Sequence, residues 1–348
     1  MSSSFLTRTS LMLVLCALPA VGWAQINDQI YQQGGTPTRG DISKSSPDEV
    51  DVIVAGNTQK IPTNKIRKIN FGGEPNELRT ARDHASQGRY EDALEVLAKV
   101  NTSTIKRPLI QQDYLFIKAF SQAKLALTGG GDKAAAEKDL LGFFGGNQST
   151  FHAYECAEIL GDLAVAKQDY VEAGKRYAYL AKAPWKDYQM RSSVLQASAM
   201  LGQGKYAEAK AKFDDVVASP LDDPAALEQK LQAKVGQALC LAESGDPEGG
   251  IKLVQEVIGS NEPQQNPALF GRAYNSLGRC YLKSNKPKDA LLAYLHVDVL
   301  FYQNPETHAE ALYYLTKLWT EVKKSERAIQ SRTLLQSRYA GSSWAKKS

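Results

Sequence analysis

A glycine–aromatic–alanine pattern recurs about every 40 residues through the last three quarters of this chain. Clear copies lie at Ala85–Leu97, Leu201–Phe213 and Leu282–Tyr294. A period of this length predicts a stack of helical hairpins, because one hairpin cannot bury both of its faces and needs neighbours. Such α-solenoids generally present binding surfaces rather than active sites. The sequence therefore directs attention to a partner more than to a reaction.

The number of hairpins follows from the small residue after each turn between helices. These residues are Ala93, Ala136, Ala173, Ala209, Gly250, Ala290 and Ala328, which predict about seven hairpins. The second helix of a unit is amphipathic: Ala93, Leu94, Leu97 and Val100 share one helical face. A small residue is needed where the two helices of a hairpin cross closely.

The unit that begins near Gly271 carries the most specific pattern. Its Tyr274, Leu277, Gly278, Tyr281, Ala290 and Tyr294 resemble the large–large–small–aromatic–small–aromatic signature of the tetratricopeptide repeat (TPR) family. The resemblance covers roughly Pro75 to Ala345 and implies a right-handed superhelix over residues 74–345, followed by a tail at 346–348. Near the end, Arg338, Tyr339, Ser342 and Ala345 are similar to the closing repeats of envelope TPR proteins.

The N-terminus has the composition of an export signal. Arg8 precedes the apolar run Leu11–Leu18, and small residues at Gly22 and Ala24 predict cleavage after residue 24. Eight apolar residues would span about 12 Å as a helix, too short to cross a bilayer. Lipidation at Cys16 is disfavoured because Leu15 precedes it. We expect an exported protein of the periplasm or cell envelope with no direct membrane span.

Residues 25–73 have a different sequence pattern, with short β-prone runs separated by glycine-containing turns. Alternating Val50, Val52 and Val54 indicate a half-buried strand. The order of strands and turns resembles small Sm-like or SH3-like barrels, so a five-stranded β-barrel is predicted here. Sm barrels bind RNA, but a formal charge of only +4 gives no electrostatic case for nucleic acid. A docking or assembly role is the better expectation.

Catalytic chemistry is not predicted, and neither is a metal or other cofactor. His296, Asp298, His308 and Glu310 lie within fifteen residues, but their spacing matches no zinc motif. We expect helix-terminal or surface roles for them. Cys156, Cys240 and Cys280 are odd in number after the signal and lack CxxC spacing, which predicts buried free thiols.

The TPR resemblance implies that the first helix of each unit lines a concave face. Candidate partner-binding residues there are Arg272, Asn275, Arg279, Lys283, Tyr313 and Lys317, with Glu158 and Asp162 from the third unit. In residue type these resemble clamps that hold a peptide carboxylate. The alternative is a solvated basic helix face. Phe301 and Tyr302 are further candidate anchors if they are exposed.

Three functions compete at this point. The first is a non-catalytic envelope adaptor that binds a protein or peptide in its concave groove. The second is a structural component that forms a homo-oligomer or a larger envelope complex through the β-module. The third is a peptidoglycan-associated binder or auxiliary factor.

Overall fold

The structure is a computed structural model that describes residues 27–348. The predicted signal sequence, residues 1–24, lies outside the described residues, so its cleavage stays a prediction.

Five antiparallel strands form one small sheet at the start of the described chain. They are β1 (Asp28–Gln32), β2 (Thr38–Ser45), β3 (Glu49–Val54), β4 (Asn57–Pro62) and β5 (Ile66–Asn70), in the order β4-β3-β2-β1-β5. The predicted alternation in β3 is confirmed, since Val50 and Val52 are fully buried. A two-residue turn with positive φ at Ala55 and Gly56 joins β3 to β4, as expected for a tight hairpin.

The sheet is not closed into the predicted barrel. Closure would require hydrogen bonds between β4 and β5, but these are the two edge strands, joined by a 3₁₀ turn at Thr63–Lys65. The buried face of the sheet shares one apolar core with the first helices, in which Ile30 and Val52 lie in the same cluster as Leu78 and Phe116. Because helices cover this face, the sheet does not need to curl around itself to bury its apolar side chains.

Fourteen helices follow within the described residues. They are α1 (Asn76–Ser86), α2 (Tyr90–Leu97), α3 (Pro108–Leu127), α4 (Lys133–Gly146), α5 (Ala153–Ala166), α6 (Tyr170–Tyr177), α7 (Lys186–Gly202), α8 (Tyr206–Val217), α9 (Pro224–Glu243), α10 (Pro247–Gly259), α11 (Pro267–Lys283), α12 (Pro287–Leu300), α13 (Pro305–Glu321) and α14 (Ser325–Arg338). Consecutive helices pack in pairs, giving seven hairpins. All seven of the small residues used to count the repeats are buried.

Glycines let the paired helices of some hairpins approach closely. A methyl group on Gly278 of α11 would lie 2.7 Å from the Tyr294 ring of α12, and Gly161 faces Tyr177 in the same way. The turns between paired helices contain residues in the left-handed region, among them Gln168 and Asn285. The last such residue is Lys323.

Two polar contacts fasten the sheet to the helices. The Arg107 guanidinium, just before α3, donates to both carboxylate oxygens of the fully buried Asp28, at 2.7 and 2.9 Å. The Tyr154 hydroxyl of α5 donates to Asp48 at 2.6 Å. The sheet is therefore held against the first three hairpins.

A buried charge network lies beside this junction. Arg82 of α1 donates to Glu74 and to Asp113 of α3, each at 2.6 Å. Burial would lower the pKa of Arg82, but the two carboxylates outweigh it and the pKa is raised. His152 stacks on Phe116 and lies 3.4 Å from Asp113.

Candidate functional site: the concave groove

Charged side chains on the first helices α5, α7, α9, α11 and α13 interact from one hairpin to the next. We call the surface that these five helices form the groove. Arg191 of α7 donates to Glu158 of α5, and Arg279 of α11 donates to Glu243 of α9 at 2.7 Å. Opposite charges therefore link neighbouring hairpins along the groove.

Arg272 differs from the other groove arginines. Its side chain is exposed, and it makes no hydrogen bond or ion pair with any described residue. Although the side chain is exposed, the surrounding groove excludes part of the bulk water, which lowers the pKa of Arg272. Glu228 opposes this effect, Arg191 adds to it, and Asp162 opposes it more weakly. Charges from α5, α7 and α9 thus all reach Arg272. It is a guanidinium in the groove that is left without a carboxylate.

Unlike Arg272, Arg279 and Lys283 both have a carboxylate partner within the chain. Both contact Glu243, with the Lys283 Nζ 2.7 Å from a carboxylate oxygen. Burial disfavours the charge of Arg279, but Glu310, Tyr314 and Glu243 outweigh it and the pKa is raised. These two predicted binding residues share one internal counter-ion.

Asn275 is buried between α11 and α13. Its amide nitrogen donates to the Thr307 carbonyl at 2.8 Å and to Glu310 at 3.0 Å, whereas its amide oxygen is buried without a partner among the described residues. Burial raises the pKa of Glu310, against the effect of Arg279. Asn275 therefore positions Glu310 and leaves one acceptor unused.

Tyr313 and Lys317 lie near the C-terminal end of the groove. The Lys317 Nζ lies 4.3 Å from the centre of the Tyr313 ring and also contacts its hydroxyl. The Tyr313 ring packs against Trp344 at 5.3 Å between ring centres. The chain itself thus covers part of this predicted partner-binding surface.

Asp162 of α5 lies at the other end of the groove. It accepts a hydrogen bond from the Tyr177 hydroxyl at 2.9 Å, and Lys124 lies 3.9 Å away. A third of its side-chain surface stays accessible, but loss of bulk water raises its pKa to about 6. Nearby Glu158 contributes to this increase in pKa, and Lys124 opposes it. The Asp162 carboxyl is therefore harder to ionise than an exposed aspartate.

Distant hairpins also contact each other along a line that we call the seam. The Lys133 Nζ, at the start of α4, donates to the Gly341 carbonyl at 2.7 Å, and Gly129 lies against Arg338 and Tyr339. A cavity of about 480 Å³ lies along this seam, lined in part by Tyr90, Arg338 and Tyr339. The seventh hairpin therefore meets the turns of the first two.

In the stretch from His296 to Glu310, the side chain of His308 connects Asp298 and Tyr339 through hydrogen bonds. His308 lies 2.8 Å from Asp298 through Nε2 and 2.8 Å from the Tyr339 hydroxyl through Nδ1. His308 lies in the first turn of α13, in agreement with the expected helix-terminal position, but it is 2% exposed and therefore not at the surface. His296 stacks on Tyr274. Within residues 27–348, no group of three or more His, Cys, Asp or Glu side chains could hold a metal ion.

Other expectations about single residues have mixed outcomes. Cys156, Cys240 and Cys280 are buried free thiols, as predicted. Phe301 is buried and cannot serve as an exposed anchor, whereas Tyr302 is 43% exposed. No helix in the described part of the chain is long and apolar enough to span a membrane.

Sequence reasoning missed four residues that shape the groove: Arg191, Glu228, Glu243 and Trp344. The first three lie on α7 and α9, for which the sequence supplied no charged groove candidate. Glu243 was detectable as an acidic residue at the end of α9, the first helix of the hairpin before the one that carries Arg279. Trp344 lies beyond the last repeat, where the pattern carries no information.

Comparisons with known proteins agree with this architecture. Residues 194–265 match the family model described as "Tetratricopeptide repeat". No curated protein matches the chain significantly. A Rap protein complexed with competence and sporulation factor is similar in fold, with a TM-score of 0.52, 11% identity, and coverage of 78% of this chain and 77% of that one. A tetratricopeptide repeat protein from Parabacteroides merdae ATCC 43184 has a TM-score of 0.52 and 14% identity, with 78% and 96% covered. The chain is thus a TPR-like solenoid preceded by a small antiparallel sheet.

Proposed function

We propose that this protein is a non-catalytic adaptor of the bacterial periplasm or cell envelope that binds a protein or peptide in its groove. The observation that carries the proposal is Arg272, an exposed guanidinium without a carboxylate partner among the described residues, inside a groove whose other arginines are paired. An unpaired, partly desolvated cation gains most from a hydrogen-bonded anion supplied by a ligand.

The fold supports binding as the activity. TPR-like solenoids present extended concave surfaces, and one solved structure of similar fold is a Rap protein complexed with competence and sporulation factor. Export rests on the apolar run at Leu11–Leu18 and on the small residues that follow it.

Co-purification of the full exported chain with its partner tests this proposal. Arg272→Glu should prevent co-purification of the partner. The substitution reverses the charge at a groove position whose guanidinium is unpaired among the described residues, and it breaks no internal ion pair. Lys252→Glu is the matched control, since Lys252 is exposed on α10, a second helix of its hairpin. Equal recovery of the partner by both variants would contradict groove binding, provided that both keep the wild-type circular dichroism.

A second candidate is assembly through the sheet. Strand β4 is an edge strand with four consecutive exposed residues, Asn57–Lys60, so its outer edge can pair with another chain. Lys60 and Pro62 on this strand are residues that commonly discourage such pairing. A defined oligomer that Thr58→Pro converts to a monomer would favour assembly, and a monomeric wild-type chain would exclude it.

A further inference from the structure

The segment after α14 folds back onto the seventh hairpin. We call Tyr339–Ser348 the closing segment. Its Trp344 indole donates to Glu306 of α13 at 2.9 Å and packs between Tyr313 and Tyr314, with ring centres 5.3 and 5.8 Å away. Ala309 and Leu312 belong to the apolar cluster beneath this indole. One tryptophan thus fills an aromatic and acidic surface at the end of the groove.

Few contacts hold the closing segment in place beyond Tyr339. Apart from the bonds of Trp344 and Gly341, the hydrogen bonds that residues 340–348 make with described residues are internal, such as Lys346 N to the Ser342 carbonyl and Lys347 N to the Trp344 carbonyl. Lys346, Lys347 and Ser348 are exposed. A segment attached mainly through one side chain can be displaced by a ligand that offers the same group.

The charge of the surface matches the segment that occupies it. Burial raises the pKa of both Glu306 and Glu310, and the positive charge of Lys347 acts on both carboxylates in the opposite direction. The Lys347 Nζ lies 4.5 Å from the centre of the Trp344 ring. An indole donor followed by lysines therefore suits two partly desolvated carboxylates beside two tyrosines.

We propose that Glu306, Glu310, Tyr313 and Tyr314 form a binding site for a partner segment that contains a tryptophan followed by basic residues. The chain's own Trp344 and Lys347 occupy this site in the absence of the partner and compete with it. The inference rests on the proposed function and specifies one part of the ligand.

A synthetic peptide with the sequence of residues 341–348 serves as the ligand in a titration of the full chain. In the wild type the tethered copy competes at an effective concentration in the millimolar range, so Trp344→Ala should tighten peptide binding about tenfold or more. Trp319→Ala is the matched control, because Trp319 lies on α13, as Tyr313 does, and its indole contacts Arg327 and not the closing segment. The affinity of the Trp319→Ala variant for the peptide should equal that of the wild type.

Two further variants locate the site. Tyr313→Ala in the Trp344→Ala chain should abolish binding, and a peptide with both lysines replaced by glutamate should bind at least about tenfold more weakly. Equal affinity of the wild type and Trp344→Ala, or no binding to Trp344→Ala, would overturn the proposal. Dimerisation of the wild type that Trp344→Ala removes would assign the site to a second copy and would also overturn it. These failures would leave the Arg272 test of groove binding unaffected.

Discussion

Arg107 and Asp28, which are 79 positions apart in the sequence, form a two-point ion pair that joins the helical solenoid to the first strand of the sheet. Asp28 also accepts hydrogen bonds from the Ile42 and Gly72 backbone nitrogens, at 2.9 and 2.8 Å. One buried carboxylate thus connects β1, β2, the segment before α1 and the segment before α3. The sheet and the first hairpins are one structural unit at this point.

Loss of this pair should destabilise the protein. Arg107→Ala leaves Asp28 fully buried with only its backbone donors, so we expect the free energy of unfolding to fall by about 2 kcal/mol. Arg67→Ala, at an exposed arginine of β5, should change it by less than about 0.5 kcal/mol. Urea unfolding followed by circular dichroism measures both. Equal effects would mean that Arg107 does not hold the sheet in place.

His152 should make stability depend on pH. Burial opposes its charge, but Asp113 and Glu155 outweigh burial and raise its pKa above the usual 6.5. A raised pKa means that the charged imidazole stabilises the fold fully below about pH 6.5, and that this contribution is lost as pH rises through the folded-state pKa. The stability difference between the wild type and His152→Gln should therefore shrink from pH 5.5 to pH 8.5. A difference that is constant over this range would contradict the assigned ion pairs.

Close helix packing at glycine should be sensitive to one added methyl group. Gly161→Ala forces the new Cβ into the Tyr177 ring, so we expect a loss of about 1–3 kcal/mol. Gly174→Ala, inside α6, meets no atom within 4 Å and should stabilise the protein by up to about 1 kcal/mol. Thermal unfolding of both variants separates the two effects. Destabilisation by Gly174→Ala would show that the packing around α6 is described incorrectly.

The seam should open when Lys133 is shortened. Lys133→Ala removes the donor to the Gly341 carbonyl, so amide hydrogen exchange in residues 338–345 should become faster. Lys138→Ala is the control, since Lys138 is exposed on the same helix. Unchanged exchange in Lys133→Ala would mean that other contacts alone keep the seam closed.

The sequence predicted the fold correctly where a pattern of residue spacing recurs along a helix or strand. Small residues such as Ala93 and Ala290 occupy the helix crossings that their spacing indicated, and the alternation in β3 predicted a strand correctly. The sheet's failure to close depends on contacts with helices more than 40 residues away, which no local pattern contains. In the groove, the position of Arg272 on α11 was predictable, but the pairing of Arg279 with Glu243 depends on how two hairpins stack. The role of Trp344 depends on a chain reversal after α14.

Photocrosslinking in the cell tests groove binding most directly. A photoreactive residue at position 268, exposed on α11 one turn before Arg272, should give one discrete protein adduct that Arg272→Glu suppresses, while the same residue at position 252 on α10 should give none. Asn275 is unsuitable as an attachment site because it is 3% exposed. Adducts from position 252 alone, or from neither position while β4 positions crosslink, would contradict the account and assign partner contacts to another surface.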